Sequence, residues 1–438
     1  MSPLLVAGAA AAGSTDAPPL WTVVPFVLLL LSIAVLPLLC PHWWHHRKNQ
    51  ALVSALFGVP AIVIVALSTP ASLGHTALEY LAFVGLLGSL FTISGGVRVA
   101  GSLAGTPLSN TTILGIGAVL ANLVGTTGAA MLLIRPLLRA NQRRRARVHV
   151  VVFFILVVAN CGGCLTPLGD PPLFLGFLKG VPFEWTLQLW KPWLALLTAL
   201  LVLFNAIDQW LFHREDVATS GDLDEAVERR QPLHLEGKGN LLLLLGVAAT
   251  VLLSGAWIHP RFGETAALLS QFAVMALLAL LSLRITPAGL RARNDFTWGP
   301  LVEVALLFAA IFAAMIPALA LLRSYGETLG FTEPWQYFWA TGTLSAFLDN
   351  APTYLAFVAA AQHLPDGIVG TTHAALAAVS CGAVFFGAMT YIGNGPNFMV
   401  KAIAEAAGVR MPSFFGFLGW TLVVLAPLLL GLTLLFFR

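Results

Sequence analysis

Long apolar runs separated by short polar stretches dominate the pattern of this chain. Each run holds roughly twenty residues, the length that a helix needs to cross about 30 Å of hydrocarbon. We predict ten membrane spans, at residues 21–40, 51–69, 78–97, 148–178, 192–212, 239–258, 264–283, 299–322, 371–406 and 413–437.

Two shorter apolar stretches, 110–139 and 335–362, carry glycine, proline and polar residues at their middle. A polar middle is unfavourable in a full span, because hydrocarbon offers no hydrogen-bond partner to backbone or side chain. We therefore predict that these stretches form two re-entrant hairpins.

The overall composition supports the same fold class. Of the 438 residues, 58% are hydrophobic and 10% are charged, and the mean hydropathy is +0.86. Soluble domains average about a quarter charged residues, so the composition excludes a chain of soluble domains. We predict an all-α polytopic membrane protein.

The Lys and Arg residues are distributed unevenly among the loops. If the N-terminus lies outside, most of them fall on the cytoplasmic side. Those on the outer side are Lys179, Lys191, Arg261, Arg323 and Arg438. This bias predicts that both termini lie outside a bacterial-type inner membrane, with basic loops in the cytoplasm. Residues 1–20 are a poor secretory signal, so we expect a short external tail.

The chain contains an internal repeat. After a shift of 224 residues, "LANLVGTTGA" (120–129) falls on "LSAFLDNAPT" (344–353), and "LTPLGDPPLF" (165–174) falls on "MTYIGNGPNF" (389–398). Such weak internal symmetry is typical of secondary transporters.

Glu79 and Glu303 open corresponding spans at the same offset. The first of these spans runs inward and the second outward under the predicted topology, so the repeats are inverted. Each repeat consists of a span, a hairpin, a broken helix and a second span, in that order. The predicted organisation is a tail with two scaffold helices (1–77), a first inverted repeat (78–212), a cytoplasmic loop with connecting helices (213–298) and a second inverted repeat (299–438).

Proline and glycine interrupt one span of each repeat at corresponding positions. The interrupting residues are Pro167, Pro171 and Pro172 in the first repeat and Gly393, Gly395 and Pro396 in the second. Proline removes an amide donor and clashes with the preceding turn, so each span becomes two half-helices. Non-helical backbone survives at membrane depth only around a buried site or a cavity. Free carbonyls and the polar oxygens of the hairpin tips would suit sodium or protons there.

Two acidic residues stand at these irregular segments. Asp170 lies in the first broken helix and Asp349 in the second hairpin, so each repeat contributes one carboxylate. A carboxylate at membrane depth is costly and usually marks an ion or proton path. A second interpretation is that both acids only cap a half-helix. The same alternative applies to Thr126, Thr127, Asn350 and Thr353.

Four further charged residues have two interpretations each. Glu79 and Glu303 fit an interfacial role and a coupling role equally. Arg135 and Lys401 could neutralise a site acid or extend towards the headgroups.

Four motifs together resemble the ion transporter superfamily: "ANLVGTTGA", "NCGGCLTPLGDPPLF", "LSAFLDNAPTY" and "MTYIGNGPNF". This superfamily includes NhaD-type sodium:proton antiporters, arsenite permeases, citrate transporters and INDY-type sodium–dicarboxylate symporters. The resemblance covers residues 78–437 and implies an elevator-type transporter, whose mobile domain holds the hairpin tips and broken helices. It also implies a homodimer in lipid, a cation or small anion as substrate, no nucleic acid, and no cofactor other than sodium.

The resemblance also implies two cation sites. The first would use Asn122, Gly125, Thr126 and Thr127 with Gly169 and Asp170. The second would use Asp349, Asn350 and Thr353 with Gly393, Asn394 and Asn397. Thr166 and Thr390 belong to the same motifs, and a sodium ion would contact the carboxylates of Asp170 and Asp349.

The hairpin tips favour one activity within this superfamily. The dicarboxylate symporters show Ser-Asn-Thr at both tips, whereas this chain has Gly-Thr-Thr at 125–127 and Asp-Asn-Ala at 349–351. Because the extra acids suit a cation, we expect a sodium:proton antiporter in which Asp349 and Asp170 alternately bind cation and proton. Sodium-coupled citrate or dicarboxylate symport is the alternative. An intramembrane aspartyl protease would use the same two acids, but the Gly-x-Gly-Asp pattern is incomplete, so we expect no enzyme.

Overall fold

A computed structural model describes residues 18–44, 46–101, 104–216, 234–294, 296–362 and 367–438. Most of the predicted external tail, and residues 217–233 of the predicted cytoplasmic loop that begins at 213, lie outside these residues. The helices are α1 (Val24–Leu39), α2 (Pro41–Trp44), α3 (Arg47–Ser68), α4 (Pro70–Ser94), α5 (Pro107–Ala140), α6 (Val148–Val157), α7 (Pro171–Leu178), α8 (Trp190–Asp216), α9 (Gly239–Leu253), α10 (His259–Phe262), α11 (Glu264–Ile285), α12 (Leu290–Arg293), α13 (Gly299–Tyr325), α14 (Pro334–Phe347), α15 (Asn350–Ala361), α16 (His373–Phe386), α17 (Gly395–Ala406) and α18 (Phe414–Phe436).

Ten segments of the described residues are long and apolar enough to cross a membrane. The chain is therefore an all-α polytopic membrane protein, as the sequence predicts. Nine of the segments coincide with predicted spans. The tenth is Pro107–Ala140, which the sequence predicts as a hairpin. The predicted span 371–406 is not among the ten, because it is divided between α16 and α17.

The first predicted hairpin is present within α5. Gly125 has a φ of 78° and a ψ of 155°, so the helix is interrupted at its middle. The side-chain amides of Asn110 and Asn141 exchange hydrogen bonds of 2.8 and 3.0 Å across the two ends of α5. A straight helix would separate these residues by about 45 Å, because each residue adds about 1.5 Å. The two halves of α5 are therefore antiparallel.

The second predicted hairpin consists of α14 and α15, which pack against each other. Its tip is formed by Leu348, with extended backbone, and Asp349, the residue before α15. The hairpin tips thus fall at equivalent positions of the repeat, since Gly125 and Asp349 are 224 residues apart.

The two broken helices have matching geometry. In the first repeat α6 leads into a 3₁₀ turn at Cys161–Leu165, and α7 begins at Pro171. In the second repeat α16 leads into a 3₁₀ turn at Gly387–Met389, and α17 begins at Gly395. Because α7 and α17 begin at the same offset, the breaks are structurally equivalent as well as similar in sequence.

Helices of the two repeats pack across each other around these breaks. Helix α15 of the second repeat contacts α7 of the first, and α17 contacts α5. In Val148–Leu165, 89% of the residues are buried, whereas only 28% are buried in the most apolar 18-residue stretch of the outer span Arg47–Ser68. The breaks therefore lie at the centre of the molecule, and lipid-facing helices surround them.

A second group of helices packs beside this centre. Helix α4 contacts α9 and α11, while α13 contacts α1, α3 and α4. Two short strands, β1 (Arg98–Ala100) and β2 (His234–Glu236), pair antiparallel at one end of this group. Glu236 there accepts hydrogen bonds from Arg98 at 3.5 Å and Arg293 at 3.1 Å. These three residues are all predicted on the cytoplasmic side, so their contact agrees with the predicted topology.

Candidate functional site

Asp170 lies at the centre of the polar site. It is the residue before α7 and is 1% exposed. Its Oδ1 accepts hydrogen bonds from Thr126 Oγ1 at 2.9 Å and Asn394 Nδ2 at 3.0 Å. Its Oδ2 accepts one from Asn350 Nδ2 at 2.6 Å. The carboxylate makes no capping bond to α7, so the capping interpretation is wrong for this residue.

The partners of Asp170 come from both repeats and obey the repeat symmetry. Thr126 and Asn350 are equivalent residues, each one position beyond a hairpin tip. Asn394 is the equivalent of Asp170 itself. One carboxylate therefore holds together four irregular segments: both hairpin tips and both breaks.

Asp349 has a different environment. Its side chain accepts a hydrogen bond from the amide of Ala351 at 3.0 Å, so it caps α15. Thr353 Oγ1 donates to the backbone carbonyl of Asp349 at 2.9 Å. Asp349 as a whole residue is intermediate between buried and exposed, and it lies at the tip next to the buried Asn350. The capping role of Asp349 is thus present and compatible with a second role in ion binding.

A threonine in each break donates a hydrogen bond to a backbone carbonyl of the hairpin in the same repeat. Thr166 Oγ1 donates to the carbonyl of Asn122 at 2.5 Å, and Thr390 Oγ1 donates to the carbonyl of Ala346 at 2.5 Å. These four residues are related by the same offset. The Asn122 side chain adds a bond from the amide of Leu165 at 2.8 Å. These bonds give hydrogen-bond partners to two hairpin carbonyls and to one backbone amide of the first break at membrane depth, where hydrocarbon offers none.

Glycines allow the backbone to approach closely at both breaks. A Cβ atom on Gly169 would lie 2.1 Å from the carbonyl oxygen of Gly163, and one on Gly393 would lie 2.6 Å from that of Gly387. The carbonyl of Gly169 accepts from the amide of Thr126 at 2.8 Å. Gly169 and Gly393 therefore shape the site through their backbone. Thr127 is half-buried at the first tip.

Asn160 is a site residue that the sequence motifs do not predict. It is fully buried, and its Oδ1 accepts from Asn394 Nδ2 at 3.1 Å. Its Nδ2 donates to Asn397 Oδ1 at 2.6 Å. Asn397 in turn donates to the carbonyls of Gly387 and Thr390, each at 2.8 Å. The signal was a single asparagine after ten apolar residues, 150–159, at membrane depth.

Asn160 orients the amide of Asn394 towards Asp170, so its loss should weaken the site. We expect Asn160→Leu to leave Asn397 Oδ1 without its donor, at a cost of about 1–3 kcal/mol. Transport at limiting substrate should fall about tenfold, because about 1.4 kcal/mol corresponds to a factor of ten. Initial rates in proteoliposomes and thermal unfolding in detergent would measure both effects.

A matched control is Asn205→Leu. Asn205 lies on α8 and donates to Thr111 Oγ1 at 2.8 Å, away from Asp170. This variant loses a similar side-chain bond but should retain the wild-type rate. Equal rates for the Asn160 and Asn205 variants would contradict the assignment of Asn160.

The side chains that bond Asp170 are all neutral. Lys401, predicted as a possible neutralising residue, bonds Glu405 four residues later on α17 at 2.9 to 3.0 Å. An ionised carboxylate without a cationic partner is strongly unfavourable in a buried site. Asp170 can therefore be protonated or accompanied by a cation.

An oxygen beside Asp170 is available as a ligand. Asn350 Oδ1 is buried and accepts no hydrogen bond within the described residues. Buried polar atoms nearly always have a partner, so this oxygen is a candidate ligand. Together with the Asp170 carboxylate and the Thr126 hydroxyl, it forms a set of hard oxygen donors of the kind that binds sodium.

The two glutamates at the start of corresponding spans lie away from this centre. Glu79 is 1% exposed and bonds Lys179. Its helix begins at Pro70, eight residues before the predicted start of the span, so Glu79 is not at a helix end. The side chain of Glu79 therefore points into the protein and does not extend towards the headgroups, and its interfacial and coupling roles both stay predictions. Glu303 accepts from Gln50 Nε2 of α3 at 2.9 Å.

Comparison with known families identifies the chain more closely. A family model described as "Putative citrate transport" matches residues 15–437, almost the whole sequence. The chain belongs to this citrate-transport family. No curated protein matches the chain in a sequence comparison.

Membership of the citrate-transport family agrees with the resemblance to the ion transporter superfamily. The chain is an integral membrane protein and a secondary transporter. The equivalent breaks and tips, brought together at Asp170, are where such a transporter would bind its substrate.

Proposed function

We propose that this secondary transporter exchanges sodium for protons, with Asp170 and Asp349 alternately binding the cation and the proton. The observation that carries the proposal is the environment of Asp170. This buried carboxylate bonds only neutral side chains and joins both repeats. A proton and a sodium ion compete for such a group, because either one neutralises its single charge. Competition at one site produces exchange when the site opens alternately to the two sides.

The separate arrangement of the two acids supports transport over proteolysis. Asp170 bonds Thr126, Asn350 and Asn394, while the Asp349 carboxylate caps α15. A protease dyad needs two carboxylates that share one proton. No hydrogen bond joins these two carboxylates among the described residues.

Sodium-coupled symport of citrate is the second candidate, favoured by the description of the family. Helix N-termini can bind an anion, and α17 begins at the exposed Gly395 with no side-chain cap. Against this candidate, Asp349 is partly exposed at the neighbouring tip, where its charge would repel a tricarboxylate. Cation exchange therefore suits the charges of the site better.

A single assay separates the two candidates. Purified protein would be reconstituted into liposomes containing a pH-sensitive dye and given pulses of sodium, lithium, potassium, citrate or arsenite. We expect sodium, and lithium more weakly, to change the internal pH without citrate. Sodium-dependent uptake of labelled citrate, with no change of internal pH on addition of sodium alone, would contradict sodium:proton exchange and support citrate symport.

Two variants of Asp349 separate its capping role from its proposed role in ion binding. Asparagine caps helices about as well as aspartate, so Asp349→Asn keeps the cap and removes the charge. Asp349→Ala removes both, at a cost of about 1 kcal/mol. We expect both variants to lose sodium-induced proton movement, and only Asp349→Ala to unfold at a lower temperature. Full exchange by Asp349→Asn would show that the residue is only a cap.

The orientation of the chain belongs to this proposal. We place both termini outside a bacterial-type inner membrane, because most basic residues then lie on the cytoplasmic side. The homodimer implied by the superfamily stays a prediction. Cysteine labelling at Cys40, an exposed thiol on the predicted cytoplasmic side, would check the orientation in everted vesicles.

A further inference from the structure

A buried ion pair joins the end of α7 to α4. Lys179 follows the last residue of α7, and its Nζ lies 2.6 and 2.7 Å from the two carboxylate oxygens of Glu79. The Glu79 side chain is 1% exposed and that of Lys179 is 23% exposed. Because Glu79 is fully buried, water screens this contact less than it screens a surface pair, and loss of one partner would leave the other charge without compensation.

Two further residues extend this ion pair. His75 Nε2 lies 3.0 Å from Glu264 of α11, and His75 Nδ1 lies 3.6 Å from Glu79. His75, Glu79 and Glu264 are close enough to hold a metal ion. However, the ammonium group of Lys179 already contacts both oxygens of Glu79, so a cation is in place. The cluster is therefore an ion network between helices.

The ion pair joins α4 to the helices that hold the site. Helix α7 begins after Asp170, which is hydrogen-bonded to Thr126, Asn350 and Asn394. Through these bonds α7 and the site-bearing ends of α5, α15 and α17 form one unit. The bonds to Asp170 include none from α4 or α11. A secondary transporter must open its site to each side in turn, which requires the site-bearing unit to move against the rest.

The sequence of the second repeat does not repeat both residues of this pair. The residue equivalent to Glu79 is Glu303, but the residue equivalent to Lys179 is Ile403, which is apolar. Glu303 instead accepts from Gln50 of α3, which packs with α13. The residues of the Glu79–Lys179 pair are thus not repeated by the internal symmetry, and the pair lies at the end of α7, on the predicted outer side.

We propose that the Glu79–Lys179 pair is a latch that holds the site-bearing unit in the conformation described and opens in each transport cycle. The one-sided position of the pair favours this conformation over the opposite one. The proposal depends on secondary transport and not on the identity of the transported ion, so it can be tested with whichever substrate the transport assay identifies.

Cross-linking provides the decisive test. Glu79→Cys and Lys179→Cys would be combined with Cys40→Ser, which removes the exposed native thiol. A short bis-methanethiosulfonate reagent would then join the two positions reversibly. We expect transport to fall to background after cross-linking and to return after reduction. The single-cysteine variants treated in the same way are the controls, and the reagent should leave each of them at the activity it has before treatment.

Two outcomes would overturn the proposal. The first is full transport by protein whose cross-link is confirmed by mass spectrometry. Such a result would show that transport does not require Glu79 and Lys179 to separate. The second comes from spin labels on the same cysteines, measured by pulsed electron resonance. We expect two distance populations, and a single short distance would mean that the helices do not separate. This measurement needs no substrate, so it stays informative even if sodium exchange fails.

Discussion

Replacing Asp170 with asparagine should lower sodium-driven proton movement to the level of protein-free liposomes. Asparagine has nearly the same shape but cannot carry the charge that a proton or a sodium ion neutralises. A loss of about a hundredfold or more is expected, which corresponds to about 2.7 kcal/mol. The protein should stay folded. The NH2 group of the new asparagine would lie opposite one of the donors Thr126, Asn350 and Asn394, which is unfavourable. This loss is offset because the variant no longer buries a charge.

The control for this experiment is Glu405→Gln. Glu405 is exposed on α17 and pairs with Lys401, so this variant also removes one carboxylate but leaves the site intact. Its exchange rate should match the wild type. If the Asp170 variant kept more than a tenth of the wild-type rate, Asp170 could not be the group that alternates between proton and cation.

Replacing Gly169 with alanine should have the second largest effect, through geometry alone. The added methyl group would lie 2.1 Å from the Gly163 carbonyl oxygen, too close for any real contact. Neither group is a flexible side chain, so the two backbone segments must separate. Overpacking of this kind costs about 1–3 kcal/mol or more. The shift would also break the 2.8 Å bond from Thr126 to Gly169, so we expect no measurable exchange and a lower unfolding temperature.

Gly419→Ala is the matched control. Gly419 lies within α18, and a methyl group there would meet nothing within 4 Å. Alanine favours a helix by up to about 1 kcal/mol over glycine, so this variant should be as stable as the wild type or more so. Wild-type stability and exchange in the Gly169 variant would show that the close approach of Gly169 to Gly163 within the first break is not needed.

The structure separates two acids that the sequence treats alike. Asp170 is fully buried between the repeats, whereas Asp349 is partly exposed and caps α15. The buried Asp170 suits the binding of an ion that neutralises its charge, and the partly exposed Asp349 suits contact with an ion that arrives at the tip. The Asp170 and Asp349 variants therefore differ in what they test: the first concerns the occupied site, and the second its access from the tip.

The sequence by itself determined the membrane class, the hairpins, the breaks and the repeat. These features depend on the length of apolar runs and on glycine and proline, whose effects are local to the chain. The shift of 224 residues aligned the breaks before any contact was known. Length alone would misjudge Pro107–Ala140, which is long enough to span but folds back at Gly125.

Only the tertiary structure decided which side chains meet. Asp170 bonds Asn350 and Asn394, which are 180 and 224 residues away, and Glu79 pairs with Lys179 across 100 residues. Asn160, unremarkable in its apolar run, became a partner of Asn394. Hydrophobicity sets where a segment lies in the membrane, but not which face it turns towards its neighbours. Those faces are fixed by packing between distant helices, so the partners of a buried acid follow from the fold and not from its local sequence.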